Sequence, residues 1–131
     1  MQSKWIAIAS LLGFTAVAAG ALGAHALKDR LEPDHLAAFE VAVRYQMYHA
    51  LALLAVAWFA SLRPSRLISA SGYCMVVGVF CFSGSIYALI ALDWRWLGPI
   101  TPLGGLLLMV GWLLLGVAAL RDSNRSTAGD A

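Results

Sequence analysis

Four stretches without a single Asp, Glu, Lys or Arg run from Trp5 to Leu27, Tyr45 to Leu62, Leu67 to Leu92 and Trp96 to Leu120. A helix needs roughly 20 apolar residues to cross a hydrocarbon layer of about 30 Å, rising about 1.5 Å per residue, and each stretch meets or approaches that length. A chain that is 61% hydrophobic and 12% charged has no soluble fold that would cover so much apolar surface. The stretches do not alternate polar with apolar residues, which excludes a barrel, and the α-helix is the other structure that satisfies its own backbone in lipid. The expected fold class is therefore all-α: an integral membrane bundle of four transmembrane helices over about 5–27, 45–62, 67–92 and 98–120. Residues 1–120 form one transmembrane domain, and 121–131 a polar tail.

Between the first two spans lies "KDRLEPDHLAAFEVAVR", Lys28 to Arg44. Pro33 suits a first helical position, where its missing N–H would be unpaired anyway, and Asp34 complements the positive end of the helix dipole. A helix from there to Leu62 is about 45 Å long, more than the bilayer core, so residues 33–44 are expected as an interfacial extension before the second span. Leu36, Phe39, Val43 and Met47 give that extension an apolar stripe. "RPSR", Arg63 to Arg66, reads as a short turn, and Thr101-Pro102 as a helix cap and first position.

Small residues mark the seams. Ala16/Gly20 and Gly20/Ala24 flatten one side of the first span, Gly84 and Ala88 repeat the device in the third, and Gly104, Gly105, Gly111 and Gly116 enrich the fourth. Flat sides let backbones approach and gain dispersion contacts where lipid supplies no hydrophobic drive. Cys74 and Cys81 share a helix face but stand about 10 Å apart along the axis, too far for a disulfide, and read as packing residues. Ala24-His25-Ala26 after Lys4 and an apolar run resembles a secretory cleavage site. The run is longer than the roughly 7–15 residues of a signal core, which favours a retained first helix.

The net charge of +2 is dispersed among loops and tail, which excludes a nucleic-acid partner and leaves the lipid bilayer, with a second copy or a protein partner open. Four spans place Lys4, Arg63, Arg66, Arg121 and Arg125 on one side and Lys28, Arg30, Arg44 and Arg95 on the other. That excess of one favours cytoplasmic termini in a bacterial-type plasma membrane. Trp5 and Trp58 are expected in one aromatic belt, and Tyr45, Tyr48, Trp94 and Trp96 in the other.

The candidate site is the polar end that gathers around "AVRYQMYHALALL". Glu40 and Arg44 are spaced for an i, i+4 ion pair, and Tyr45 and His49 form a second i, i+4 pair, whereas Glu40 and His49 leave the helix on opposite sides. On the structural reading Arg44, Tyr45 and Tyr48 anchor the interface and Glu40 neutralises Arg44. On the functional reading His25 meets His49 or Glu40 across the bundle to hold a metal or relay a proton. Ser83, Ser85 and Tyr87 lie toward the same end and are expected to bond to backbone carbonyls or neighbouring helices. Thr101 is the last member of the set. No HExxH, CxxC, GxSxG or Walker pattern occurs, and neither a cofactor nor a metal is expected.

Taken together, "GALGAHALKDRL", "AFEVAVRYQMYHALALL", "FSGSIYAL" and "GPITPLGGLLLMVGW" resemble the small membrane-protein family catalogued as domain of unknown function 423, similar to the transmembrane protein 256 group. The resemblance spans roughly Gly20 to Trp112. It implies a four-span membrane protein and brings no activity, cofactor or catalytic residue with it. Its motifs, around His25, Glu40, Arg44, Tyr45, His49, Ser85, Tyr87 and Thr101, map to one end of the bundle. The primary reading is a non-enzymatic membrane protein whose polar end organises the bundle and binds a lipid headgroup, partner or small ligand. The alternatives are an oligomeric transporter or channel component, and a metal-binding or proton-relay protein using His25, His49 and Glu40.

Overall fold

The computed structural model describes residues 2–129, with side chains described for residues 2–122. Helix α1 spans Gln2–Leu22 and passes into a π turn, Gly23–Leu27; α2 is a continuous helix over Pro33–Leu62. The third span is α3, Arg66–Val79, a π turn at Phe80–Gly84, and α4, Ser85–Leu92. After a 3-10 turn at Arg95–Leu97, α5 runs from Ile100 to Gly129. Four helical units are long and apolar enough to cross a membrane: Gln2–Leu27, Pro33–Leu62, Arg66–Leu92 and Arg95–Asp122. The fold is thus an all-α bundle of four membrane-spanning helices, with the extension before the second span forming the first turns of α2.

Local chemistry sets the boundaries. Pro33 occupies the first turn of α2 and Asp34 follows it. At the other end Arg63 leaves the helical region at φ −142° and ψ 80°, since the following proline disfavours the α conformation, and its N–H closes on Phe59 O at 2.9 Å. Ser65 then caps α3, its Oγ accepting from Ile68 N at 3.2 Å. The third span ends at Asp93, which takes the left-handed conformation at φ 51° that a short polar side chain tolerates. Thr101 lies one residue inside α5 rather than capping it, because Gly98 and Pro99 have already made the turn.

In packing, α1 lies along α2, α3 along α5, and α2 joins the two pairs through α3 and α4. The core gathers Trp5, Leu12, Leu53, Val56, Ile68, Met75 and Leu108. Leu11, Phe14, Leu51, Trp58, Phe80, Leu106 and Leu113 face outward and are exposed in the isolated bundle, the inverse of a soluble protein and the arrangement lipid requires. Trp5 departs from the expected belt. It is 1% exposed, lies flat against Gly72, where an added Cβ would stand 2.7 Å from the indole, and meets Tyr73 edge-on. Lys4 closes this corner, its Nζ donating to Tyr73 Oη at 2.8 Å above both rings.

The seams also sort the small residues. Gly104 meets the backbone of Cys81 and Phe82, Gly78 meets Leu108, and Gly111 meets Met75. These close approaches are what Gly104 and Gly111 were expected to serve. Gly84, by contrast, has nothing within 4 Å of the point a Cβ would occupy, and Ala24 is exposed, so neither belongs to a seam. Cys74 and Cys81 are free and half-buried.

Candidate functional site

Buried residues on α2 recur as Phe39, Ala42, Gln46, His49, Ala50, Leu53, Val56 and Ala57, a helical stripe turned toward the rest of the bundle. Two positions on that stripe are polar. At Gln46 the amide Nε2 donates to Leu12 O at 2.9 Å and to Thr15 Oγ1 at 2.8 Å, both on α1, while Oε1 accepts from Tyr87 Oη at 3.0 Å on α4. Thr15 passes its own proton to Leu11 O at 2.8 Å. One side chain therefore ties three helices, with each of its polar atoms matched.

His49 is fixed from two directions. Its Nδ1 is 2.7 Å from Tyr45 O, and its Nε2 accepts from the Trp112 indole N–H at 3.1 Å, which reaches across from α5. A carbonyl can only accept and an indole can only donate, so these partners specify the neutral ring with its proton on Nδ1. Both nitrogens are thereby committed to the fold.

Hydroxyl groups complete the interior. Ser83, in the π turn, donates to Ala42 O at 2.7 Å, and Ser71 donates to Gly111 O at 2.7 Å. Ser85 donates to Phe82 O at 2.9 Å, which leaves Thr101 Oγ1, 2.6 Å away, to donate to Ser85. Among the described residues no buried side-chain nitrogen or oxygen lacks a partner. In hydrocarbon an unmatched polar group costs several kcal/mol, so this closure decides how the helices can pack.

The remaining candidates lie outside this interior. His25 is exposed on the π turn that ends the first span, and Glu40, Arg44 and Tyr45 are exposed on α2. Tyr45 stacks toward Phe82, with ring centroids 4.8 Å apart. The expected Glu40–Arg44 ion pair is not made. Arg44 Nε instead approaches the backbone carbonyl of Glu40 at 3.4 Å, and the two ion pairs among the described residues are Arg63–Asp122 and Arg95–Asp93. The reason is geometric: a guanidinium that turns back along its own helix to a carbonyl leaves the carboxylate four residues earlier to solvent. Glu40 and Arg44 line a groove of about 250 Å³ with Gly20, Gly23, Phe39 and Val43.

The sequence candidates thus fall into two groups. His49, Ser85, Tyr87 and Thr101 are structural members of the interior, while His25, Glu40, Arg44 and Tyr45 stand at the rim. The trio His25, His49 and Glu40 is not brought together, and among the described residues no group of three or more His, Cys, Asp or Glu side chains gathers to hold a metal. Gln46 and Thr15 were missed. The signal for them was Gln46 in register with Ala42, His49, Ala50 and Leu53, a lone amide on the buried stripe.

Residues 19–105 match the family described as protein of unknown function, DUF423. The chain belongs to the DUF423 family. Similar proteins include the UPF0382 membrane protein of Staphylococcus epidermidis, 39% identical over 117 residues, covering 89% of this chain and 95% of the relative. The UPF0382 membrane protein of Haemophilus influenzae is 36% identical over 124 residues, covering 95% and 99%. UPF0382 membrane protein YwdK of Bacillus subtilis is 36% identical over 118 residues, covering 89% and 96%. No solved structure matches. Most of the interior, from Ala42 and Gln46 to Ser85, Tyr87 and Thr101, falls within the matched DUF423 region, whereas Trp112 lies beyond it.

Proposed function

We propose that this DUF423 protein acts without catalysis, as a lipid-engaging bundle whose polar interior fixes the helix packing and whose rim groove takes a zwitterionic phospholipid headgroup. Arg44 would face the phosphate and Glu40 the ammonium, with Gly20, Gly23, Phe39 and Val43 accepting the first methylenes. The observation that carries this reading is that Glu40 and Arg44 share one groove without neutralising each other. The interior supports the same reading, because Gln46, His49 and Ser83 direct their hydrogen bonds to protein atoms, which organises a bundle and, among the described residues, leaves no buried polar side-chain atom free for a conducting path. The excess of one cationic residue on the side of the termini supports cytoplasmic termini, with the groove facing the other way.

Native mass spectrometry of the purified protein with phosphatidylethanolamine and phosphatidylglycerol tests the groove. A membrane-surface cation contributes about 1 kcal/mol toward an anionic group, so Arg44→Gln should reduce phosphatidylethanolamine retention about fivefold. Glu40→Gln should leave retention of phosphatidylglycerol intact while lowering that of phosphatidylethanolamine. Equal retention of both lipids by all three proteins would refute the headgroup assignment.

A further inference from the structure

At the opposite end of α2 a second polar notch opens, about 390 Å³ in volume, where the turn Arg63–Arg66 faces the stretch Ala118 to Asp122 of α5. Three arginines, Arg63, Arg66 and Arg121, line it. Its apolar side is formed by Phe59, Ile68 and Ala118. Asp122 lines the notch too, and its carboxylate stands 3.6 Å from Arg63 Nε. No ion pair engages Arg66 or Arg121 among the described residues, and both are exposed. Three cations and one described carboxylate therefore share a recess that is charged at its mouth and apolar toward the bundle. Leu62, 57% exposed, continues the apolar side onto the lipid-facing surface.

From this we infer an anionic-phospholipid site: the phosphodiester is held by Arg66 and Arg121, and the adjoining glycerol and first methylenes lie against Leu62 and Phe59. Three features select this class of ligand. Guanidinium groups present paired N–H donors that match phosphate oxygens. The local charge excess favours a lipid with net negative charge over a zwitterionic one. A recess with an apolar wall running onto the lipid-facing surface suits an amphiphile better than a free ion. Basic pockets between spanning helices are a general means of binding anionic headgroups. The site is separate from the Glu40–Arg44 groove, differs from it in lipid preference, and stands whether or not that groove binds lipid.

The test uses the full chain in a neutral detergent, with native mass spectrometry and thermal melts in phosphatidylglycerol, phosphatidylcholine or inorganic phosphate. The expected result is preferential retention of phosphatidylglycerol, weakened about fivefold by Arg66→Gln or Arg121→Gln and about 25-fold by both. Arg66→Lys and Arg121→Lys should keep part of the binding, because the charge remains while the paired donors are lost. Arg95→Gln, at the other rim, should change nothing. Circular dichroism of the double variant should match the parent, as both side chains are exposed. If it does not, the lysine variants carry the test. Undiminished phosphatidylglycerol retention in the double variant overturns the site. Inorganic phosphate stabilising as strongly as phosphatidylglycerol, and losing its effect in the same variants, overturns the lipid as its occupant.

Discussion

The two helix pairs of this bundle are held in different ways. Where α5 packs on α3 and the π turn that follows it, the backbones themselves touch: a Cβ on Gly104 would stand 2.7 Å from Cys81 C and 2.8 Å from Phe82 Cα, and one on Gly78 would overlap Leu108. Along the α1–α2 seam there is room. A Cβ on Gly13 would find Ala50 at 3.9 Å and one on Gly20 would find Val43 at 3.5 Å, both ordinary contacts. What α1 and α2 have instead is Gln46, bonded to Leu12 O and Thr15. A helix pair in lipid, deprived of hydrophobic drive, can gain its cohesion from close backbone approach or from hydrogen bonds that lipid cannot replace. This protein relies on hydrogen bonding along α1–α2, adds close backbone approach to the Ser71–Gly111 bond along α3–α5, and links the two pairs through the Gln46–Tyr87 bond.

The contrast can be broken most severely at Gly104. Gly104→Ala places a methyl against backbone that belongs to a π turn and has no side-chain rotamer with which to yield, so a loss of about 3 kcal/mol is expected, read as a lower midpoint in denaturant-titrated unfolding from mixed micelles. A midpoint unchanged within error would mean that the seam is looser than its geometry. Next in size is Gln46→Leu, which leaves the Leu12 carbonyl and the Tyr87 hydroxyl without their amide partner and should cost about 1–2 kcal/mol. Pairing it with Tyr87→Phe in a double-mutant cycle sharpens the point, since the coupling should be near ~0.6 kcal/mol if the bond itself matters. Additive losses would assign the effect to packing alone. The smallest change should have the opposite sign. Gly116 has nothing within 4 Å of its would-be Cβ, so Gly116→Ala should stabilise the bundle by about 0.5–1 kcal/mol through helix propensity, read as a higher midpoint. Destabilisation there would show that α5 has a neighbour at Gly116 in the membrane.

Much of the fold was legible because its causes are local. The length of each uncharged run, Pro33 with Asp34, and Arg63-Pro64-Ser65 specify where helices begin and end without reference to partners. Of the candidate site, the hydroxyls of Ser83, Ser85 and Tyr87 did go to backbone or neighbouring helices. Trp5 shows where such reading fails. A terminal tryptophan in an apolar run looks like a belt residue until Gly72, far along the chain, supplies a flat surface for it. Gly84 fails in the other direction, as its spacing from Ala88 suggests a seam that no neighbour approaches. The Glu40–Arg44 spacing permitted a pair that the arginine's own rotamer declined.

That the chain is helical, crosses the bilayer four times and carries an extended second helix was already written in its residues, because hydrocarbon thickness and backbone satisfaction act on each segment separately. It took the packed bundle to make Gln46 a three-helix tie, to set His49 against Trp112 rather than His25, and to bring Arg121 into one recess with the distant Arg63 and Arg66. Those outcomes depend on which helix faces are opposed and at what height, and that is fixed by where two backbones can touch, a property of pairs of segments that no single segment contains.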